Sequence, residues 1–392
     1  MQFGKLVIFE VKKAIGGKFF AAAFFLLLAV NSLLWCKNLS NFGNAREVTE
    51  MFGDSCEVLA SLTPEEKEAF EAAMVETYGE DVFSAAFFPP AEMLMPPGYF
   101  GDFDDFGMVS TYKELQKINE ENTGVYENVL KAAKSFGREA VKEGNDYEIR
   151  RNLNIIRLYS APREKIQYFV YGWQTFLFGS HTMILVLLLV LLVCAGIFTK
   201  ETESQAWLLL HTAKNGKGKT LAAKFLTAAI CAAGITLLFQ GASLLTVFCN
   251  EGLLGGDQSI AAIGELKVFP FLFTVKQYAL LVVLCQMFAA IIMSVLFSAI
   301  SAFSKSGVIS YAVGGLFLGG CTALSFYPPK TEWLAGPLSL MKPERYFQTF
   351  YTANLLGEPV LWAVVQVVLW SVLGAVCIWL SQMIYHRKRR RI

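Results

Sequence analysis

Residues 198–226 read FTKETESQAWLLLHTAKNGKGKTLAAKFL, a charged stretch set between two of the most apolar runs in the chain. The run before it, roughly 173 to 198, and the run after it, roughly 221 to 248, are each long enough to cross a bilayer as helix. Crossing about 30 Å of hydrocarbon takes roughly 20 mostly apolar residues. Outward from that pair lie four further runs, at roughly 15 to 36, 277 to 303, 308 to 327 and 359 to 385. The composition, 54% hydrophobic and 17% charged over 392 residues, would also suit a large soluble protein. The clustering of the apolar residues decides for an all-α polytopic membrane protein with six transmembrane helices.

Charge orients these spans. Between Lys37 and Lys165 there are 14 Lys or Arg against 24 Asp or Glu, whereas the rest of the chain has 20 against 9. The leader (Lys5, Lys12, Lys13), the quoted stretch (Lys200, Lys214, Lys217, Lys219), the turn at Lys305 and the tail His386 to Arg391 are the basic segments. With six spans all four fall on one side, and the excess of Lys and Arg marks that side as cytoplasmic. The expected topology therefore has both termini in the cytoplasm of a bacterial plasma membrane and residues 37–166 outside. A basic tail directly after a span reads as a topology signal rather than a nucleic-acid patch, so no nucleic-acid partner is expected.

The expected organisation is an interfacial helix over 1–16, span 1 over 17–36, a mainly helical extracellular domain over 37–166, span 2 over 167–198 and a cytoplasmic segment over 199–220. Spans 3 to 6 occupy 221–392, with outer loops at 249–276 and 328–358 and a basic tail at 386–392. Phe3, Val7, Val11 and Ile15 recur at i, i+4 and give the leader an apolar stripe suited to the membrane surface. No small-x-small cleavage site follows Leu34-Trp35, so the first run reads as a retained span. In the outer domain, Thr63-Pro64-Glu65-Glu66 is a capping box with Pro at the first helical position, predicting a helix to about Tyr78. Helices are further predicted over about 110 to 121, 124 to 142 and 145 to 159. The loop between the helix ending near Tyr78 and the one starting near 110, VFSAAFFPPAEMLMPPGYFGDFDDFG, is expected to be the irregular core of a small helical domain, the other reading being a contact with an apolar ligand or the outer leaflet. Its Asp102, Asp104 and Asp105 lack the remaining ligands of a calcium loop. The outer loop from about 328 to 358 is expected to carry amphipathic pieces, with Pro359 opening the last span. Eight cysteines show no metal spacing; Cys36 and Cys56 can pair with each other or with Cys249, or remain free thiols.

Single polar residues mark the apolar runs: Asn31 in span 1, His181 in span 2, Gln240 in span 3, Gln286 in span 4 and Gln366 in span 6. They are candidates for lining a pathway or for joining helices by hydrogen bonds. No carboxylate lies in the middle of a span, so the chain lacks the group that proton- or sodium-coupled carriers use. Gly216-Lys217-Gly218-Lys219-Thr220 imitates the end of a phosphate-binding loop, yet Ala213 stands where that motif needs Gly and no strand precedes it. With no readable catalytic set, the chain reads as a non-enzyme.

The order of amphipathic leader, span, large outer domain, span and E-x-E-S-x-x-x-x-L-L-x-T-x-x-x-x-K-x-x-x-L-x-x-K resembles the type 2 ABC exporter permeases. Here the motif is Glu201, Glu203, Ser204, Leu209, Leu210, Thr212, Lys217, Leu221 and Lys224, with Gln205 and Lys214 where the family often has Gly and Pro. The resemblance implies a coupling segment, carried by Glu201, Glu203, Leu209, Leu210, Lys217 and Lys224, that docks on a separate ABC ATP-binding subunit. It implies two permease copies around a pathway, outward movement of a peptide, antibiotic, lipid-like molecule or ion, and contact with membrane lipids. No cofactor is expected in this chain, because ATP and Mg would belong to the partner ATPase. The alternative is a membrane-anchored sensor or scaffold whose outer domain binds a ligand.

Overall fold

The computed structural model describes residues 3–40, 45–78, 105–179, 181–204, 216–325, 336–347 and 350–387. The chain begins with α1 (Phe3–Ile15), turns at Gly16 and continues as α2 (Lys18–Ser40). A side chain at position 16 would put its Cβ 2.4 Å from the Lys12 carbonyl oxygen, so this tight turn requires glycine. Then come α3 (Ala45–Ser61), α4 (Pro64–Tyr78), α5 (Asp105–Glu143) and α6 (Asp146–Tyr159). The second apolar stretch is split into α7 (Tyr171–Phe178) and α8 (His181–Glu203); it is followed by α9 (Gly216–Glu251), α10 (Val275–Phe303) and α11 (Gly307–Leu324). A short α12 (Glu344–Phe347), the hairpin β1 (Thr352–Leu355) and β2 (Glu358–Leu361), and α13 (Trp362–Arg387) complete the chain. Among the described residues, six apolar stretches are long enough to cross a membrane, as expected from the sequence.

Local chemistry explains most boundaries. Thr63 and Glu66 form the anticipated capping box, Thr63 N–H donating to Glu66 at 2.7 Å and Glu66 N–H to the Thr63 hydroxyl at 3.3 Å. A second box, Thr274 with Gln277, opens α10. Asn145 caps α6 by accepting from Glu148 N–H at 3.2 Å, just after Gly144 turns the chain at φ 68°.

The packing centre is α8, whose Val186, Leu189, Cys194 and Ala195 are fully buried among α9 and α10. By contrast α2, α11 and α13 keep apolar faces exposed, with Phe19, Leu316 and Val368 among the outward residues. At the other end of the bundle, α3 packs on α5 and α5 on α6. Cys56 of α3, Leu115 of α5 and Ile166 form a small core there, and burial pushes the Cys56 thiol up to about 11. Cys36, Cys56 and Cys249 are all free thiols.

Four expectations change. The two helices anticipated over 110–121 and 124–142 are one helix, α5, because Gly124 in open space costs only about 1 kcal/mol against Ala and does not stop it. Span 2 is interrupted after Phe178: Gly179 packs against the Trp35 ring, where a Cβ would meet a ring carbon at 2.0 Å. The last span starts at Trp362 rather than Pro359, and Pro359 belongs to β2. The strands pair antiparallel from Thr352↔Leu361 to Leu355↔Glu358, turning through Leu356 and Gly357, both with positive φ. That two-residue turn suits the twist of a hairpin, and Asn354 holds it by accepting from Gly357 N–H at 2.9 Å. Finally, the leader stripe is divided: Val7 is buried against the bundle while Phe3 and Ile15 stay exposed, because Glu10 turns inward with Val7. The Pro-rich loop anticipated between α4 and α5 lies outside the described residues.

Candidate functional site

At the end of the bundle where α1 lies, four charged side chains from three helices meet. Lys224, on the first turns of α9, is fully buried. Its ammonium donates to Glu201 Oε1 of α8 at 2.7 Å and to the Ile197 carbonyl at 2.6 Å, and it lies 3.5 Å from Glu10 Oε2 of α1. It also stands over the Phe198 ring at 5.2 Å. Glu201 Oε1 accepts a second bond, from Lys13 Nζ at 2.7 Å, and Lys13 is 3.9 Å from Glu10. Glu201 and Glu10 are 5% and 4% exposed.

Two acids and two bases make the cluster neutral, which is the condition for keeping charge away from water. A buried ion is expensive unless paired and hydrogen-bonded. The polar contacts of Lys224 fit its three donors. The site is a latch in which α1 is held onto α8 and α9 by charge.

Glu203, two residues on, leaves the cluster and accepts from Gly307 N–H at 2.7 Å, at the first turn of α11. A carboxylate at a helix N-terminus satisfies an otherwise open donor and complements the helix dipole. The last turn of α8 is therefore tied through Glu201 to α1 and α9, and through Glu203 to α11.

Of the residues proposed for coupling, the structure brings Glu201 and Lys224 together and points both inward, while Glu203 reaches α11. Leu209, Leu210 and the Lys217 side chain lie outside the described residues. Glu10 and Lys13 were missed as members of the site. The signal was present, since Glu10 is the single acid in a leader otherwise containing Lys5, Lys12 and Lys13.

The five polar residues of the apolar stretches do not form one line, and of the five only Gln240 and Gln286 bond to each other among the described residues. Near the opposite end of the bundle, Thr182 Oγ1 donates to Asn31 Oδ1 at 2.9 Å and accepts from Trp35 Nε1 at 3.0 Å. Ser243 lies 3.1 Å from both Thr182 Oγ1 and Asn31 Nδ2. The His181 ring leans on Trp35 at 4.8 Å between centroids. Closer to the middle, Gln240 Nε2 donates to Gln286 Oε1 at 2.6 Å. Gln286 also lines a cavity of about 270 Å³ with Met183, Leu187, Thr322 and Leu338. Gln366 stays within α13, accepting from Trp370 Nε1 at 2.9 Å. From Thr182 to Glu201 along α8 is about 28 Å at 1.5 Å per residue, so the two polar clusters stand roughly one hydrocarbon thickness apart.

These features define the class: a mainly helical, membrane-type chain with six apolar helices of spanning length and a charged latch at one end. Comparison with protein-family models, with curated proteins and with solved structures finds no match to this chain.

Proposed function

We propose that the chain is the membrane-spanning subunit of an ATP-driven exporter, built on the plan of the type 2 ABC permeases and working with a separate ATP-binding subunit. The observation that supports this reading is the double attachment of the last turn of α8. Glu201 joins it to α1 and α9, and Glu203 joins it to the start of α11. A push on the adjoining 205–215 segment is thereby delivered to four helices at once. In this proposal the docking contacts belong to that segment, with Leu209 and Leu210 at its centre, while Glu201 and Lys224 transmit rather than touch the partner. ATP binding and hydrolysis shift an equilibrium between two arrangements of the helices, and differential contact with the ATPase in its two states supplies the work. The exported cargo is a peptide, an antibiotic, a lipid-like molecule or an ion, and two permease copies enclose its route.

The test is co-expression with whichever ATP-binding subunit is found encoded beside this chain, followed by co-purification and ATP turnover in membranes. Leu209→Asp with Leu210→Asp is expected to abolish association without altering the unfolding midpoint of the permease. Association and turnover that survive this change would overturn the coupling assignment. Absence of any associated ATPase would favour a membrane-held sensor, a reading that the groove described next also supports.

A further inference from the structure

One face of α5 borders a groove of about 750 Å³. Tyr112, Leu115, Asn119, Asn122, Tyr126 and Leu130 succeed one another along it, so the groove follows the helix for about 27 Å. The facing wall is the segment from Tyr159 to Gln167, with Ala261 closing one side.

The walls are held firmly. Asn119 donates to the Ile166 carbonyl at 3.0 Å and accepts from Ile166 N–H at 2.7 Å, the paired bonds one strand makes to another. Arg163 stacks 4.3 Å above the Tyr126 ring and donates to the carbonyls of Phe269 and Pro270 at 3.1 and 3.2 Å. Its charge is thus committed within the wall.

Three properties select a ligand. First, the remaining charges at the rim are mixed, Lys67 and Lys165 against Glu120, Glu127 and Glu164, so neither a strong anion nor a strong cation is favoured. Second, Asn122 is 5% exposed; its Nδ2 donates to Ala261 O at 3.1 Å while its Oδ1 has no partner among the described residues. A buried acceptor left open calls for a donor such as an amide N–H. Third, the groove is long and combines amide and hydroxyl groups (Gln116, Thr123, Gln167) with apolar ones (Leu59, Leu115, Leu130). An acyl chain would fill the length yet leave Asn122 unpaired. An extended peptide offers N–H donors and alternating side chains, and about 27 Å accommodates about eight residues at roughly 3.3 Å each.

We infer that this groove binds a short, neutral or zwitterionic peptide laid along α5, with Asn122 Oδ1 accepting one of its backbone N–H groups. The inference does not depend on the exporter reading, since it concerns binding alone. The test uses the full-length protein in lipid nanodiscs. The probe is an N-acetylated, C-amidated octapeptide library built from Ala, Leu, Asn and Tyr, with palmitoyl lysophosphatidylcholine as the lipid-like comparison, and retained molecules are read by mass spectrometry. Retention of a peptide subset is expected, with at least tenfold less in Asn122→Leu and in Thr123→Trp. The second variant places bulk on an exposed turn and needs no buried contact to change, so it decides the matter if the first does not fold. No retained peptide, retention unchanged by Thr123→Trp, or specific retention of the lysolipid alone would each overturn the inference.

Discussion

Lys224 and Glu201 face each other at 2.7 Å between the third and second apolar stretches, with Lys224 wholly out of solvent. Each is tolerable inside the bundle because it is paired, Lys224 with Glu201 and Glu10, and Glu201 with Lys224 and Lys13. Removing one partner of a buried pair leaves an uncompensated charge and costs about 3–5 kcal/mol, whereas replacing both by apolar or neutral groups is often close to neutral. Lys224→Met should therefore lower stability by about that amount, and Glu201→Gln with Lys224→Met should recover most of it, because Glu10 and Lys13 still neutralise each other. Unfolding of the purified variants checks this. A double variant as unstable as Lys224→Met would contradict the latch.

The cluster at the far end makes a graded prediction. Thr182 joins Asn31, Trp35 and Ser243 across helices, while Thr236, equally buried, bonds at 2.8 Å to Ala232 O in its own helix and to no other described residue. Interhelical hydrogen bonds in apolar bundles are worth about 0.6 kcal/mol on average and up to about 1.7. Thr182→Val should cost about 1–2 kcal/mol and Thr236→Val under about 0.5 kcal/mol in the same unfolding assay. Equal losses would mean that the three-helix contact contributes nothing beyond packing.

Gly179 offers a steric test. Its Cβ would fall 2.0 and 2.3 Å from two ring carbons of the buried Trp35, whereas one added at Gly315 would meet nothing within 4 Å. Overpacking a rigid site costs about 1–3 kcal/mol. Gly179→Ala should thus lower the unfolding midpoint clearly and red-shift Trp35 fluorescence in a variant lacking the other tryptophans, and Gly315→Ala should do neither.

A pH dependence is expected at the start of α4. The Thr63 backbone N–H, assisted by the Thr63 side chain, holds the exposed Glu66 carboxyl below its ordinary value. With the folded pKa depressed, its contribution is present above the unfolded value of about 4.3 and is lost as pH falls through the lower, folded value. Amide exchange protection over the first turn of α4, corrected for intrinsic rates, should fall across that acidic window. In Glu66→Gln, which keeps an acceptor but does not titrate, protection should stay flat. A matching fall in the variant would assign the effect elsewhere.

Much of the outline is legible in the residue order, because membrane-length apolar runs and helix caps are local signals. The Thr63 to Glu66 box, the α6 start at Asn145-Asp146 and the six apolar stretches all follow from patterns a few turns long. Errors arose where a local signal was outweighed by neighbours. Gly124 is a weak breaker inside a helix packed on α6, and the hairpin at 352–361 is held in part by α6, where Tyr147 bonds to Thr352 and Arg150 pairs with Glu358.

The sequence by itself determined that this chain has six apolar stretches, that its charges are segregated, and that Glu201 and Lys224 flank a charged segment between two of those stretches. Their meeting, with Glu10 and Lys13 drawn in from more than 180 residues away, was decided only by the tertiary structure. A charge 23 positions from another has no partner implied by periodicity. What selects the partner is the cost of leaving it unpaired once α1, α8 and α9 pack and exclude water.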